Sequence, residues 1–195
     1  NIPDDQVALA VVVQILIPAD SAGILFTANP INGQRGQAVI SASWGLGEAV
    51  VGGLVTPDSF TVDKAKHTIL ERQIADKEIM TVRLAAGTEE QPVPEELRQT
   101  PALKDDQVIE LTSISEQIEQ HYDMPMDIEW TLSPHPHPLS LGERGARGEE
   151  GFHIVQARPI TVLPEPPLSW ELPHPKGVYM RGSIVDLMPD PLSPL

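Results

Sequence analysis

Hydrophobic residues in this chain occur mostly in short runs that turn-forming residues separate. These runs predict strands at residues 24–27, 38–42, 59–62, 68–74 and 78–84. Asn, Pro and Gly at 29–33 and the polar residues at 63–66 are typical of turns between neighbouring strands. The close spacing therefore predicts an antiparallel meander and not alternating strands and helices.

The longest apolar run covers residues 7–17, which read VALAVVVQILI. Its β-branched composition predicts a strand that is buried on both faces. Gln14 is the polar side chain inside this run, and a buried amide needs hydrogen-bond partners. Two interpretations are open: Gln14 is a structural hydrogen-bonding group, or it contacts the planar edge of a ligand.

Residues 105–122 have the helical period that the rest of the chain lacks. Asp105 and Asp106 suit the N-terminus of a helix, and apolar positions recur every three or four residues after them. We expect this helix to pack on the sheet. Residues 85–101, which are polar and rich in Pro, predict a loop.

A glycine-rich segment at 43–53 reads SWGLGEAVVGG. It lacks the Lys and Ser or Thr of a P-loop, and Val50 stands where a dinucleotide-binding fingerprint has its third glycine. The segment predicts a turn into a short helix. Glu48 is its one charged residue, and a role in placing a ligand or metal is the alternative.

Two further runs, 125–130 and 152–159, carry polar residues at alternate positions. Side chains alternate between the faces of a strand, so Asp127 and Glu129 share one face, as do Gln156 and Arg158. If the strands pair as a hairpin, two carboxylates, an amide and a guanidinium converge, which suits Mg²⁺ bound to a polyphosphate. A surface hairpin with an ordinary salt bridge is the competing interpretation.

Residues 133–150 are rich in Pro, Gly, Ser and charge, which predicts a disordered insertion at the tip of this hairpin. His135 and His137 alternate with prolines there, and such a segment does not preorganise a metal site. Residues 163–195 are also Pro-rich and predict a linker followed by the start of another region.

Composition narrows the classes of partner. The 195 residues carry a formal net charge of −15 and have a pI near 4.6, which argues against nucleic acid or an anionic membrane as the main partner. Cysteine is absent, so disulfides and thiolate metal sites are excluded. The chain starts without Met or a basic leader, and we expect a cytoplasmic protein that is incomplete at both ends.

The order of the segments resembles the nucleotide-binding domain of the phosphoenolpyruvate synthase and pyruvate phosphate dikinase family, which includes rifampicin phosphotransferases. The resemblance rests on VVVQ, AGILFTANP, SWGLGEAVVGG, TPDSF, DKE, HYDMPMDIEW and VQARPIT. It implies an α+β fold over residues 1–162, namely the C-terminal lobe of an ATP-grasp domain, with a mostly antiparallel sheet and packed helices.

The resemblance also implies roles for single residues. Gln14, Glu129, Gln156 and Arg158 match nucleotide-binding positions of the family, and Arg158 matches the arginine that holds phosphate oxygens during catalysis. Glu129 and its acidic companion Asp127 match the positions that hold Mg²⁺. Four of these five residues are those that strand alternation selects independently.

The activity that the resemblance implies is transfer of the β-phosphate of ATP to a histidine on a separate domain, with release of AMP and phosphate. The phosphohistidine then phosphorylates an acceptor, either pyruvate or an antibiotic hydroxyl of the rifamycin type. Because no residue here matches the first ATP lobe or the phosphohistidine domain, we expect this chain alone to be inactive. A fragment of phosphoenolpyruvate synthase proper and a non-catalytic remnant of a truncated gene are the alternatives.

Deletion of residues 133–148 tests the interpretation of the insertion. Because this segment has little to bury, we expect the shortened chain to fold with an unfolding midpoint close to that of the full chain. Circular dichroism during urea titration measures this. A shortened chain that no longer folds would show that the segment is structural.

Overall fold

A computed structural model describes residues 11–53, 55–84, 87–133 and 151–164. Its strands are β1 (Ser21–Phe26), β2 (Gln37–Trp44), β3 (Asp58–Asp63), β4 (Thr68–Gln73), β5 (Ile79–Arg83), β6 (Thr88–Pro92), β7 (Met126–Ser133) and β8 (Gly151–Pro159). Its helices are α1 (Glu48–Val51), α2 (Glu95–Arg98) and α3 (Asp105–Tyr122). Within these ranges, no helix combines the length and apolar character that crossing a membrane requires.

The main sheet has six strands in the order β4-β3-β2-β1-β7-β8, and every neighbouring pair is antiparallel. β5 and β6 form a second, two-stranded antiparallel sheet. The first four strands follow one another as a meander, as the spacing of the turns predicts. The fold class is therefore α+β with mostly antiparallel sheet, which confirms that part of the expectation.

The core lies between one face of the main sheet and α3. Leu25 and Ile128 are directly opposite each other on β1 and β7, and both are fully buried beside Phe60 of β3. α3 contributes Val108 and Leu111 to the same cluster. The predicted helix at 105–122 is confirmed at both ends.

A buried ion pair joins the two sheets. Asp58 and Lys77 both have fully buried side chains, and the Lys77 Nζ lies 2.6 Å from the Asp58 Oδ1. The other oxygen of Asp58 accepts a hydrogen bond from the backbone N–H of Ala102 at 2.8 Å. The Lys77 backbone N–H in turn donates to the carbonyl of Arg98. One carboxylate thus ties β3 to the segments before β5 and before α3.

The prediction of a buried strand over 7–17 is wrong for the residues that the structure describes. Residues 11–17 form no strand, and the side chains of Val11, Val12 and Val13 are exposed. β1 already pairs with β2 on one edge and β7 on the other, so the run has no place beside β1. An apolar composition indicates a preference for burial but not the surface that provides it. Residues 7–10 lie outside the described part.

The prediction of a loop over 85–101 is wrong in part, because β6 and α2 lie within it. β6 reads TEEQP and is largely exposed, so it shows no apolar alternation that a sequence pattern detects. Its strand conformation comes from backbone pairing with β5. The prediction of an insertion over 133–150 is wrong at its first residue, because Ser133 is buried at the end of β7, where it pairs with Gly151. Residues 134–150 and the predicted linker beyond 164 lie outside the described residues.

Substitution of Lys77 by Met tests the importance of the buried ion pair. The variant leaves the Asp58 carboxylate buried without its cation, and we expect a loss of about 3–5 kcal/mol in the free energy of unfolding. Urea denaturation measures it. Lys66→Met is the matched control: Lys66 is 76% exposed and 3.6 Å from Asp63, so its loss is about 0–1 kcal/mol. Equal losses in the two variants would contradict this account.

Candidate functional site

The polar residues of β7 lie on the face of the sheet opposite α3. Met126, Ile128 and Trp130 are almost fully buried in the core, so Asp127 and Glu129 between them project to the other face. The structure places Asp127 opposite Arg158 and Glu129 opposite Gln156 on β8. Directly opposed residues of an antiparallel pair have their side chains on the same face. The hairpin thus places these four side chains on one face of the sheet.

Asp127 and Arg158 form an ion pair at one end of this group. The Arg158 Nη2 and Nε lie 2.8 Å and 2.9 Å from the Asp127 Oδ2, so both donate to one oxygen. The Arg158 side chain is 60% exposed, which leaves its other N–H groups facing solvent. The Asp127 Oδ1 is buried and has no hydrogen-bond partner within the described residues.

A β-bulge interrupts the hairpin at the centre of the group. Glu129 pairs with Gln156, but the next residue, Trp130, pairs with Ile154, so Val155 is an additional residue on β8. Bulges redirect side chains and occur frequently beside functional sites. The bulge here places Val155 in the wall of a cleft.

A cleft of about 820 Å³ lies against this face of the sheet. Glu129 lies in its wall, as does Gln14, whose side chain is exposed. The rest of the wall comes from four sources: the chain before β1, β1 itself, the glycine-rich segment and the hairpin. These residues are Ile15, Leu16, Ile17, Gly23, Leu46, Gly47, Glu48, Gly52, Trp130, Thr131, His153, Ile154 and Val155. The cleft is therefore largely apolar, with a few polar groups.

The small sheet holds the glycine-rich segment in place. The backbone N–H of Leu46 donates to the Thr81 carbonyl of β5 at 2.8 Å. Gly45 has φ +77°, and a Cβ there would lie 2.4 Å from the Thr81 carbonyl oxygen, so this close approach requires glycine. Thr88 of β6 donates to the Glu48 carboxylate at 3.3 Å. The predicted turn into a short helix is confirmed as α1.

The small sheet also contacts the chain that runs before β1. Arg83, at the end of β5, donates from a guanidinium nitrogen to the Leu16 carbonyl at 3.0 Å. This contact holds the stretch 14–17 beside the cleft. Arg83 is a site component that sequence reasoning missed, because a lone charged residue at a strand end carries no signal of its long-range partner.

Two further wall residues on the hairpin were also missed. Thr131 lies two positions beyond Glu129 on β7, and His153 is its partner on β8. The alternation that selects Asp127 and Glu129 also selects Thr131, so a signal was present in the sequence. His153 was hidden by the bulge, which shifts the register by one residue between Gln156 and Ile154.

The carboxylates fit Mg²⁺ only if a ligand supplies further oxygens. Among the described residues, no three His, Cys, Asp or Glu side chains cluster closely enough to hold a metal ion. Mg²⁺ is typically bound by one or two carboxylates together with substrate phosphates and water. The unpartnered Asp127 Oδ1 and the neighbouring Glu129 match that donor set.

The structure is an α+β domain with a cleft between a polar face of its sheet and a glycine-rich loop. The chain belongs to the family described as pyruvate phosphate dikinase, AMP/ATP-binding domain, whose model matches residues 1–169. This confirms the family that the sequence motifs indicate.

Named relatives fall into two groups. A probable phosphoenolpyruvate synthase of Methanocaldococcus jannaschii is 43% identical over 159 residues, which cover 81% of this chain and 12% of the relative. The rifampicin phosphotransferase of Streptomyces sviceus is 39% identical over 198 residues, covering 100% of this chain and 20% of the relative. That of Bacillus subtilis is 38% identical, covering 97% and 20%. The chain thus spans between 12% and 20% of the length of these relatives.

Substitution of Gly45 by Ala tests whether the small sheet positions the glycine-rich loop. The added Cβ is strained at positive φ and collides with the Thr81 carbonyl, so we expect a loss of about 3 kcal/mol or more in the free energy of unfolding. Gly53→Ala is the control, because Gly53 has φ +68° but nothing within 4 Å of the added Cβ. Its expected cost is about 1–2 kcal/mol. Guanidinium titrations that give equal costs would contradict the contact.

Proposed function

We propose that this chain is the ATP-binding part of a phosphotransferase, and that it forms the second lobe of an ATP-grasp site. The observation that carries the proposal is the convergence of Asp127, Glu129, Gln156 and Arg158 on one sheet face. The family's description as an AMP/ATP-binding domain supports ATP as the ligand. We assign the lobe to residues 1–162 and the linker with the start of the next region to 163–195.

Each residue of the group has a proposed role. Arg158 binds phosphate oxygens with the N–H groups that Asp127 leaves unused, and it stabilises charge on the transferring phosphoryl group. Gln156 and Gln14 donate and accept hydrogen bonds with the nucleotide. Glu129 and Asp127 hold Mg²⁺, which neutralises phosphate charge when it is bound. Phosphoryl transfer depends mainly on such positioning and charge neutralisation.

The complete reaction proceeds through a phosphohistidine and releases AMP and phosphate. The histidine belongs to a part of the protein that this chain does not match, so the chain by itself is inactive. The chain spans 12% to 20% of the length of its relatives, which supports the proposal that ATP binding and the phosphohistidine belong to different parts of the protein. An ATP-consuming enzyme works where ATP is supplied, and the cytoplasm is the proposed location.

The acceptor we propose is a hydroxyl of a rifamycin-like antibiotic. Rifampicin phosphotransferases align with 97% to 100% of this chain, whereas the phosphoenolpyruvate synthases align with 81% to 85%. The greater coverage favours the antibiotic group. Pyruvate is the second candidate, since a synthase has the highest identity of the named relatives, 43%. A non-catalytic remnant is the third, and loss of nucleotide binding distinguishes it.

Substitution of Glu129 by Gln tests the proposed function in this chain. One lobe alone should bind Mg-ATP weakly, with a dissociation constant in the range of about 1 mM. Removal of a charged ligand is expected to raise this constant about tenfold to a hundredfold. Nuclear magnetic resonance titration of the isotopically labelled chain measures such weak binding, and Arg158→Ala should show a similar loss.

Glu110→Gln is the matched control, because it removes the same charge from an exposed position of α3 on the other side of the sheet. We expect it to bind Mg-ATP like the wild type. Wild-type chain that binds no nucleotide at several times the expected constant would contradict the proposal. Nanomolar binding would contradict the requirement for a second lobe.

A further inference from the structure

A buried hydroxyl lies at the end of the site away from the charged pair. Thr131 is 7% exposed, its side chain lies in the cleft wall, and its Oγ1 has no hydrogen-bond partner within the described residues. Buried hydroxyls almost always have a partner, since an unpaired one costs free energy. The hydroxyls of Ser21 and Ser43 are also unpaired within the described residues, but Thr131 is the one of these three that lies in the cleft wall, where a ligand can supply the partner.

The position of Thr131 along β7 indicates which part of the ligand it meets. A strand rises about 3.4 Å per residue, so Thr131 lies about 14 Å from Asp127 along the same face. Asp127 and Arg158 are not in the cleft wall but lie on the same face, and Glu129, which is in the wall, lies between Asp127 and Thr131 along β7. Around Thr131 the cleft wall is mostly aliphatic, with Leu46 and Ile154 among its members. A triphosphate fits the charged end, and a neutral planar group fits the aliphatic end.

The glycine-rich loop covers the same part of the sheet. Thr131 and Ala22 are directly opposite each other on β7 and β1, and a Cβ on Gly47 would lie 3.6 Å from that of Ala22. The loop therefore packs directly on the sheet beside Thr131, and a planar group in the cleft lies next to the loop, with the Thr131 hydroxyl in the same wall. Loop glycines permit such a close approach.

We infer that Thr131 determines nucleotide specificity by forming a hydrogen bond between its hydroxyl and the edge of the nucleobase. This inference rests on the proposed function, because it takes the ligand to be ATP. The hydroxyl is unpaired in the free chain and becomes paired in the complex. Binding therefore breaks no existing hydrogen bond of Thr131, and the new hydrogen bond contributes its full free energy to binding. Removing the hydroxyl should lower the affinity for ATP without lowering the free energy of unfolding.

Thr131→Val removes the hydroxyl and keeps the shape of the side chain. We expect the dissociation constant for Mg-ATP to rise about fivefold to tenfold, and the unfolding midpoint to stay equal to or above that of the wild type. Thr131→Ser keeps the hydroxyl and should bind within about twofold of the wild type. Titrations followed by nuclear magnetic resonance provide the constants, and urea denaturation provides the midpoints.

Ser43→Ala is the matched control. Ser43 is 1% exposed, its Oγ also lacks a partner within the described part of the chain, and it lies on the same face as Thr131, but it is not in the cleft wall. Its loss should leave the affinity for Mg-ATP unchanged. An equal loss of affinity in Ser43→Ala and Thr131→Val would overturn the specific role of Thr131.

Two ligand analogues separate the possible contacts. Mg-tripolyphosphate lacks the nucleoside, so Thr131→Val should bind it like the wild type; equal weakening would place the hydroxyl at the phosphates and overturn the inference. With 2′-deoxyATP the effect of the substitution should persist, and its disappearance would assign the contact to the ribose instead. Unchanged ATP binding in Thr131→Val overturns the inference alone, whereas a wild type that binds neither ATP nor tripolyphosphate overturns the proposed function.

Discussion

Burial of alternate residues on β7 is the constraint on which the candidate site depends. Met126, Ile128 and Trp130 fill the core against α3, and their burial fixes which face every other residue of the strand occupies. A shift of one residue in register would move Asp127 and Glu129 into the core, at a cost that no ion pair offsets. The core therefore positions the polar face, and the polar face needs no stabilising interactions of its own. Because the core alone fixes the orientation of the strand, the Asp127 Oδ1 can lack a hydrogen-bond partner within the described residues.

A second layer of support reaches the cleft from the opposite direction. The buried Asp58–Lys77 pair ties the small sheet to the main one. The small sheet then holds the glycine-rich loop through Thr81 and the chain at 14–17 through Arg83. Removing one partner of a buried ion pair costs far more free energy of unfolding than removing one partner of an exposed pair. The buried pair therefore fixes the small sheet, and with it this part of the cleft wall, to the main sheet. The motifs TPDSF and DKE, which carry these two charges, thus have a structural explanation.

The sequence was informative wherever a periodic pattern and its burial coincide. The meander, the helix at 105–122 and the hairpin all show such a pattern, and the facing of Asp127 and Glu129 follows from alternation alone. β6 could not be predicted from the sequence, because its pairing with β5 uses backbone groups and its side chains are largely exposed. The prediction of a buried strand is wrong for residues 11–17, because an apolar composition does not specify the surface against which a segment packs. The Asp58–Lys77 pair and the Arg83 contact join residues that no local pattern relates.

Paramagnetic mapping tests the central claim most directly. Mn²⁺ substitutes for Mg²⁺ in the nucleotide complex and broadens the resonances of nearby amides. Addition of Mn-ATP to the isotopically labelled chain should broaden the amides of 127–129 and 156–158 most strongly, and those of α3 least. Broadening that is centred on α3, or spread evenly over this acidic surface, would contradict a nucleotide site on the polar face of the hairpin.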